Sequence, residues 1–336
     1  MSFTTHIAIL GAGSIAKKMA TTVNLMAQDE RWAGRVNLYA VATRNSVERA
    51  QEFAQEYGID VAYGSYADML ADPQVDVVYI ATPHRFHAEQ AIQCMEAGKH
   101  VLIEKPFTVN AREARAVIAK SQETGLTCAE AIWTRYEPSR GIIQNILDSG
   151  VIGDITSMSA NLSYPMMAKE RMTNPELAGG ALLDVGIYPL NFVSMFMPGL
   201  VDKIVSSARL SDQGMDEVSQ TTLWFDNKAM ADITSSYWEV GDRCAFIRGT
   251  KGLIRVENAN NPEEIVVMNK AYEVIERPDI PEQLTGFEYE VDAVIEAIGR
   301  GDIEPQAMPH SESLRMVEIM DQIREQWGMV YPFEKE

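Results

Sequence analysis

Three short stretches of the chain carry residue types suited to chemistry on a nucleotide and a small polar molecule. Gly11-Ala12-Gly13-Ser14-Ile15-Ala16 follows the apolar run Ile7 to Leu10 and opens an Ala- and Met-rich segment reaching Met26. Strand, glycine turn and helix in that order make a dinucleotide fingerprint. Gly11 permits the tight turn, Gly13 lets the backbone approach a pyrophosphate, and Ala16 keeps the helix close to the sheet. Backbone N–H groups and the helix dipole then face the phosphates. Thr43-Arg44-Asn45-Ser46 closes the run Val36 to Ala42, where such folds meet the adenosine ribose. A carboxylate at that place takes the 2′-hydroxyl of NAD, whereas an arginine accommodates the 2′-phosphate of NADP. Thr43 and Arg44, with no acid beside them, point to NADP rather than NAD. Lys105 ends a third run, His100 to Ile103, and Pro106 biases it toward an extended conformation. An ammonium aimed in this way holds a hydroxyl or carbonyl oxygen and lowers the pKa of a neighbouring acid.

The elements that position these residues follow from periodicity. Strands are expected at Val36 to Ala42, Val61 to Gly64, Val75 to Ala81, His100 to Ile103 and Leu126 to Ala131. Helical patterns at Ser46 to Tyr57, Tyr66 to Leu70, Phe86 to Gly98 and Asn110 to Thr124 alternate with them. Regular alternation implies an α/β fold with a doubly wound parallel sheet of the Rossmann type, ligands lying at the carboxyl ends of its strands. Thr82 to His87 and Glu104-Lys105-Pro106 fall on that edge. His87 either faces the nicotinamide ribose or caps its helix. The cofactor-contacting set expected here is Gly11, Gly13, Ser14, Ile15, Ala16, Thr43, Arg44, Thr82, Pro83, His87, Glu104 and Lys105.

From Ser139 the pattern changes. After one helical stripe (Ile142, Ile143, Ile146, Leu147) come strand-like runs at Ile155 to Tyr164, Ile204 to Leu210, Val218 to Phe225, Ala229 to Trp238, Cys244 to Arg248 and Leu253 to Val256. Short turns between them, such as Asp226-Asn227-Lys228, imply a mostly antiparallel open sheet in a C-terminal α+β domain. The expected division is residues 1–130 for dinucleotide binding and 131–336 for substrate binding and dimerisation. Pro165 to Gly180 reads as a loop over the active site, and Gly286 to Gly301 and Ser311 to Gln326 as closing amphipathic helices.

Composition narrows the partners. The 336 residues suffice for two cores, and a net charge of −19 argues against nucleic acid or anionic membranes as partners. Cys94, Cys128 and Cys244 lie far apart, with neither metal-ligand nor disulfide spacing, which suits a reducing cytosol. No signal peptide is evident, and the apolar run Phe192 to Val201 is broken by Pro198. The expectation is a cytoplasmic protein.

Taken together, Gly11-Ala-Gly-Ser-Ile-Ala, Ala81-Thr-Pro-His-Arg-Phe-His87, Gly98-Lys-His-Val-Leu-Ile-Glu-Lys-Pro106 and Asp184-Val-Gly-Ile-Tyr-Pro189 resemble the glucose–fructose oxidoreductase / inositol dehydrogenase / MocA family. Glu130-Ala-Ile-Trp-Thr-Arg-Tyr136 further resembles the branch holding dimeric dihydrodiol dehydrogenase and NADP-dependent D-xylose 1-dehydrogenase. The resemblance implies an oxidoreductase moving a hydride between NADP and a sugar, polyol or cyclic trans-diol. It also implies that Lys105 is catalytic, that Trp133 and Arg135 lie near the nicotinamide, and that the open sheet makes a homodimer. Many members carry Asp-x-x-x-His where this chain has Asp184-x-x-x-Tyr188, and the dihydrodiol branch shares the tyrosine. Residues four apart share a helix face, so Asp184 and Tyr188 are expected to point together toward Lys105. A phenol with an unperturbed pKa of about 10 is a poor base unaided, and a lysine ammonium favours its phenolate. Tyr188, or a water on Asp184, then exchanges the proton, with no metal needed. Two alternatives stay open at this stage. One is a glycosidase-type enzyme with tightly bound NAD and transient substrate oxidation, the other a non-catalytic NADP sensor.

Overall fold

The computed structural model describes residues 4–335, which divide into two compact units. The first unit runs to Trp133 and takes up Gln283–Leu314. Its opening part alternates strand and helix: β1 (Thr5–Leu10), α1 (Ser14–Gln28), β2 (Val36–Ala42), α2 (Val47–Tyr57), β3 (Val61–Tyr63), α3 (Tyr66–Leu70), β4 (Val77–Ile80), α4 (His87–Glu96), β5 (His100–Glu104), α5 (Ala111–Thr124) and β6 (Cys128–Ala131). The six strands pair in parallel in the order β3-β2-β1-β4-β5-β6. Chain order reverses between β1 and β4, which opens a ligand crevice beyond their carboxyl ends. Local chemistry sets the helix limits. Ser46 and Asn110 accept the N–H groups of Arg49 and Glu113 at the starts of α2 and α5, and Gly58 and Gly125 end them in the left-handed conformation.

The division at residue 130 needs correcting. Helix Glu288–Arg300 belongs to the first unit, where Val291, Val294 and Ile295 are buried in one cluster with Ile7, Val77 and Leu102. A parallel sheet needs both faces covered, and this late helix supplies part of that cover. Its amphipathic stripe was legible, but a stripe does not say which distant sheet it covers.

The second unit comprises Thr134–Glu282 and the chain from Arg315. In order it contains α6 (Pro138–Asp148), β7 (Ile155–Ser163), α7 (Glu170–Thr173), α8 (Ile187–Phe196), β8 (Val201–Leu210), β9 (Asp216–Phe225), β10 (Met230–Ser236), β11 (Ala245–Gly249), β12 (Gly252–Glu257), β13 (Glu264–Asn269) and β14 (Val274–Glu276). The strands form one sheet in the order β14-β13-β12-β11-β7-β10-β9-β8, with β7 and β10 parallel and the other pairs antiparallel. The β9–β10 hairpin is closed as its sequence implies, with Lys228 at φ 70 and Asn227 Oδ1 accepting the Ala229 N–H at 2.9 Å. Reading short turns could not place β7, which inserts between β10 and β11. On one face Ala231, Ile233, Leu223 and Phe225 are buried. On the other, Lys203, Trp224 and Met230 lie in register across three strands, the Lys203 ammonium 5.0 Å from the indole centre.

The 22-residue run Pro175–Phe196 contains an 18-residue window of mean hydropathy 1.3 and so has the length and composition of a membrane span. Its 18-residue apolar window is 83% buried within the protein, so those side chains are spent on the core of the unit. Asp184 lies inside this run.

Candidate active site

The glycine turn after β1 is built for close approach by two different means. Gly11 has φ +114, and a Cβ there would stand 2.9 Å from the Ala81 carbonyl oxygen at the end of β4. The fold itself therefore demands glycine at this position. Around Gly13 a Cβ would meet nothing within 4 Å, so packing within the protein gives no reason for glycine. Gly13 caps α1 with extended backbone and no side-chain hydrogen bond, whereas α2, α3 and α5 are each capped by a Ser or Asn side chain. An uncapped helix start behind a bare glycine fits a pyrophosphate on backbone N–H groups. Ser14 is exposed at this turn, Ile15 partly buried, and Ala16 fully buried against the sheet. Gly11→Ala is expected to cost about 1–3 kcal/mol of stability from backbone strain, before the clash with Ala81 is added. Gly13→Ala is expected to leave the thermal midpoint in place and to weaken NADPH binding. Equal drops in midpoint would refute this division of labour.

At the end of β2, Thr43 is buried and its hydroxyl donates to the Ser46 carbonyl, which fixes the bend into α2. Arg44 is exposed, its guanidinium 5.9 Å from the Phe86 ring centre. Arg49, in the first turn of α2, donates from Nη2 to the Ala12 carbonyl at 3.3 Å. Burial raises the Tyr66 phenol, and the charges of Arg44 and Arg49 pull it back, so all three groups share one neighbourhood. Arg49 is the addition here. Its position five residues after Arg44, within the first turn of a helix, was the available signal.

The crest beyond β4 and β5 is held by side chains. Thr82 Oγ1 donates to Gln90 Oε1 at 2.5 Å. His87 is fully buried, with Nδ1 2.9 Å from the Pro106 carbonyl and Nε2 2.9 Å from the Thr82 carbonyl. Burial holds its pKa below the usual range; the two carbonyls oppose this and the Lys105 charge adds to it. The ring thus neither caps α4 nor reaches outward for a ribose. It braces Thr82 and Pro83 against the Lys105–Pro106 peptide, which is cis. Glu104 is buried and accepts the Tyr79 hydroxyl, and Lys105 beside it is partly exposed. Trp133 stacks on Phe287 at 4.5 Å and 10°, and a Cβ on Gly286 would stand 2.7 Å from the indole. The Trp133 Nε1 is buried without a hydrogen-bond partner among the described residues, a donor that a ligand oxygen would satisfy.

In the second unit, Leu182–Gly186 forms a π-helical turn leading directly into α8. Such turns concentrate at functional sites. Asp184 lies in this turn, not in an α-helix, and is buried. Its Oδ1 accepts from Nη1 of Arg171 in α7, a residue within the stretch read only as a loop. Tyr188, two residues past the turn, packs on the buried cluster of Leu162, Met172, Ala181, Val185 and Tyr237. Arg135 is buried and donates to Asn191 Oδ1 at 2.6 Å and to Ser194 Oγ at 2.8 Å, which ties it to α8. Lys105 thus belongs to one unit, and Asp184, Tyr188 and Arg135 to the other. Among the described residues no three His, Cys, Asp or Glu side chains gather as metal ligands.

Two family profiles match the chain. The oxidoreductase family with an NAD-binding Rossmann fold (Gfo/Idh/MocA) covers residues 5–131, and the Gfo/Idh/MocA C-terminal domain covers residues 142–255. The chain belongs to the Gfo/Idh/MocA oxidoreductase family. Among the family's members, trans-1,2-dihydrobenzene-1,2-diol dehydrogenase of Mus musculus is 33% identical over 338 residues, covering 97% of this chain and 98% of that protein. The Homo sapiens enzyme of the same name is 33% identical over 334 residues, with the same coverage. Solved structures share the fold. A 3-ketoreductase from Actinomadura kijaniata in complex with NADP and TDP-benzene has a TM-score of 0.86 at 24% identity, covering 96% of this chain and 98% of its own. An aldose-aldose oxidoreductase from Caulobacter crescentus complexed with glycerol has a TM-score of 0.83 at 22% identity, covering 97% and 98%.

Proposed function

We propose that this Gfo/Idh/MocA oxidoreductase uses NADP and moves a hydride between the nicotinamide and a carbon bearing a hydroxyl or carbonyl in a sugar, polyol or cyclic trans-diol. The observation that carries the reading is the likeness, at a third identity over nearly the full chain, to dehydrogenases named for a trans-diol. Arg44 and Arg49, with no acid at the end of β2, support the choice of NADP.

When bound, the nicotinamide supplies or accepts the hydride. The turn at Gly11 and Gly13 and the first N–H groups of α1, at Ser14 and Ile15, would hold the pyrophosphate. Thr82 and Pro83, kept in place by His87, would shape the crest. Lys105 would orient the reacting oxygen and stabilise negative charge on it. Tyr188 would exchange the proton, and Asp184 would hold the polar side of the substrate. Trp133 would place its indole N–H toward the ligand. Arg135, spent on Asn191 and Ser194, would act by fixing α8. The reading extends to a cytoplasmic homodimer formed through the outward face bearing Lys203, Trp224 and Met230. A monomer in light scattering, or fractionation away from the cytosol, would remove that extension.

The test is a titration of NADP⁺ and NAD⁺ against wild type, Arg44→Ala and Arg49→Ala. Wild type is expected to prefer NADP⁺. Each variant is expected to lose about 1.5–3 kcal/mol of NADP⁺ binding, tenfold or more, with NAD⁺ binding little changed. A screen with trans-1,2-dihydrobenzene-1,2-diol and a panel of aldoses, read as NADPH absorbance, follows. Binding of neither nucleotide, or NAD⁺ arriving bound with no net turnover, overturns the proposal.

A further inference from the structure

We propose that Arg171 is a positioning residue for the reaction, holding the Asp184 carboxylate on the π-helical turn and thereby tying the Pro165 to Gly180 segment to catalysis. The inference rests on the reading that Asp184 and Tyr188 serve the chemistry, and it adds a residue that the reading does not contain.

Several observations converge on this pair. The Asp184 side chain is 4% exposed, the Arg171 side chain 41%, and the guanidinium reaches inward from a helix of only four residues. A buried carboxylate is costly to the fold and is offset only by a well-placed partner. An apolar residue would serve the core of this unit better, so keeping the acid beside the turn that leads to Tyr188 points to use. The arm that brings Arg171 there is itself fixed. The next residue, Met172, is fully buried in the cluster on which Tyr188 packs. Its carbonyl accepts the Gly180 N–H at 2.8 Å, and a Cβ on Gly179 would stand 2.6 Å from the same oxygen. The far end of the segment is also anchored, by the Tyr331 hydroxyl donating to the Gly179 carbonyl at 2.6 Å. Pairing at fixed geometry is what a charge placed for a reaction requires.

The test combines Arg171→Met, Arg171→Lys and Asp184→Asn. The first readout needs no substrate. In protein labelled with ¹³C-carboxyl aspartate, the resonance lost in Asp184→Asn is followed against pH. Losing an opposite charge raises a carboxylate's titration midpoint, here by about one pH unit or more in Arg171→Met, with Arg171→Lys between it and wild type. Equal midpoints overturn the proposal. The second readout is turnover of trans-1,2-dihydrobenzene-1,2-diol with NADP⁺. Arg171→Met is expected to lower kcat and kcat/KM together by roughly tenfold, as loss of a transition-state interaction does, with NADPH affinity unchanged. In the Asp184→Asn background the same substitution is expected to change kcat less than twofold. Additive losses, as from a merely structural arginine, overturn the proposal. So does wild-type turnover in Arg171→Met when Asp184→Asn is impaired. Wild-type turnover in Asp184→Asn instead refutes the catalytic reading, whatever the titration shows. If the diol is not turned over at all, the substrate assignment falls and the carboxyl titration alone decides the pairing.

Discussion

Replacing Lys105 with methionine is expected to lower turnover by at least about 10²-fold while NADPH binding persists, the lower range for loss of a positioned proton-handling group. The argument begins with placement. Lys105 directly follows β5, a strand paired in parallel with β4 up to Ile103 and with β6 up to Glu104, so the residue before it is fixed in the sheet. His87 braces the next residue, Pro106, and is kept below its usual pKa in part by the Lys105 charge. Methionine keeps the length and loses the charge, so the comparison isolates electrostatics from packing. Steady-state kinetics with the diol, together with fluorescence titration of NADPH, checks both halves. Retained turnover would sink the assignment. Parallel loss of NADPH affinity would turn Lys105 into a cofactor-holding residue.

The parts of this site that were legible in the sequence are those written into adjacent residues. Gly11 and Gly13, the strand before them and the helix after them are consecutive, and local sterics is enough to read them. The Glu104-Lys105-Pro106 triplet was legible for the same reason, since a strand end and a proline announce themselves. The missing parts depend on contacts between distant positions. Arg49 matters because α2 returns beside the glycine turn, and Arg171 because α7 folds back on the π-helical turn. The turn itself reads as ordinary α-helix in the sequence, because a single wide turn barely changes the apolar periodicity around it. His87 shows the converse. Its motif leaves a ribose contact and a helix cap both open, yet both ring nitrogens are directed at carbonyls that only the folded crest brings together. The two late strands β13 and β14 are not legible because their short runs are hemmed by polar residues, and the pairing of β13 with β12 and of β14 with β13 needs the sheet to exist first.

Asp216 is expected to make stability fall as pH rises, and Asp216→Asn to remove that slope. The residue begins β9 and is completely buried. One carboxylate oxygen accepts the Leu182 N–H at 2.7 Å, and the other is buried without a hydrogen-bond partner among the described residues. A Cβ on Gly180 would stand 2.1 Å from that second oxygen, so the chain is pressed against it. Burial pushes the carboxyl up to about 7; the Leu182 N–H and the Arg324 charge oppose the shift without cancelling it. Arg324 is largely committed elsewhere, to Glu334 at 2.8 Å and Asp321 at 2.9 Å. With an unfolded value of about 3.9, the folded protein binds the extra proton between about pH 4 and pH 7. The associated stability is complete below about pH 4 and is lost as pH rises through about 7, by roughly 4 kcal/mol in all. Asparagine keeps an acceptor for Leu182 and carries no charge to desolvate, so the variant should gain on wild type as pH rises. Urea unfolding of both proteins across this range measures the difference directly, because every other titrating group is common to the two. Identical slopes would show that Asp216 is ionised at little cost. The expected outcome instead makes Asp216 a buried acid retained against stability, bonded to the first residue of the turn that carries Asp184. A fold that keeps one buried acid on the π-helical turn, held by Arg171, and sets a second one, from β9, against the first N–H of that turn is giving up stability to fix the turn's geometry.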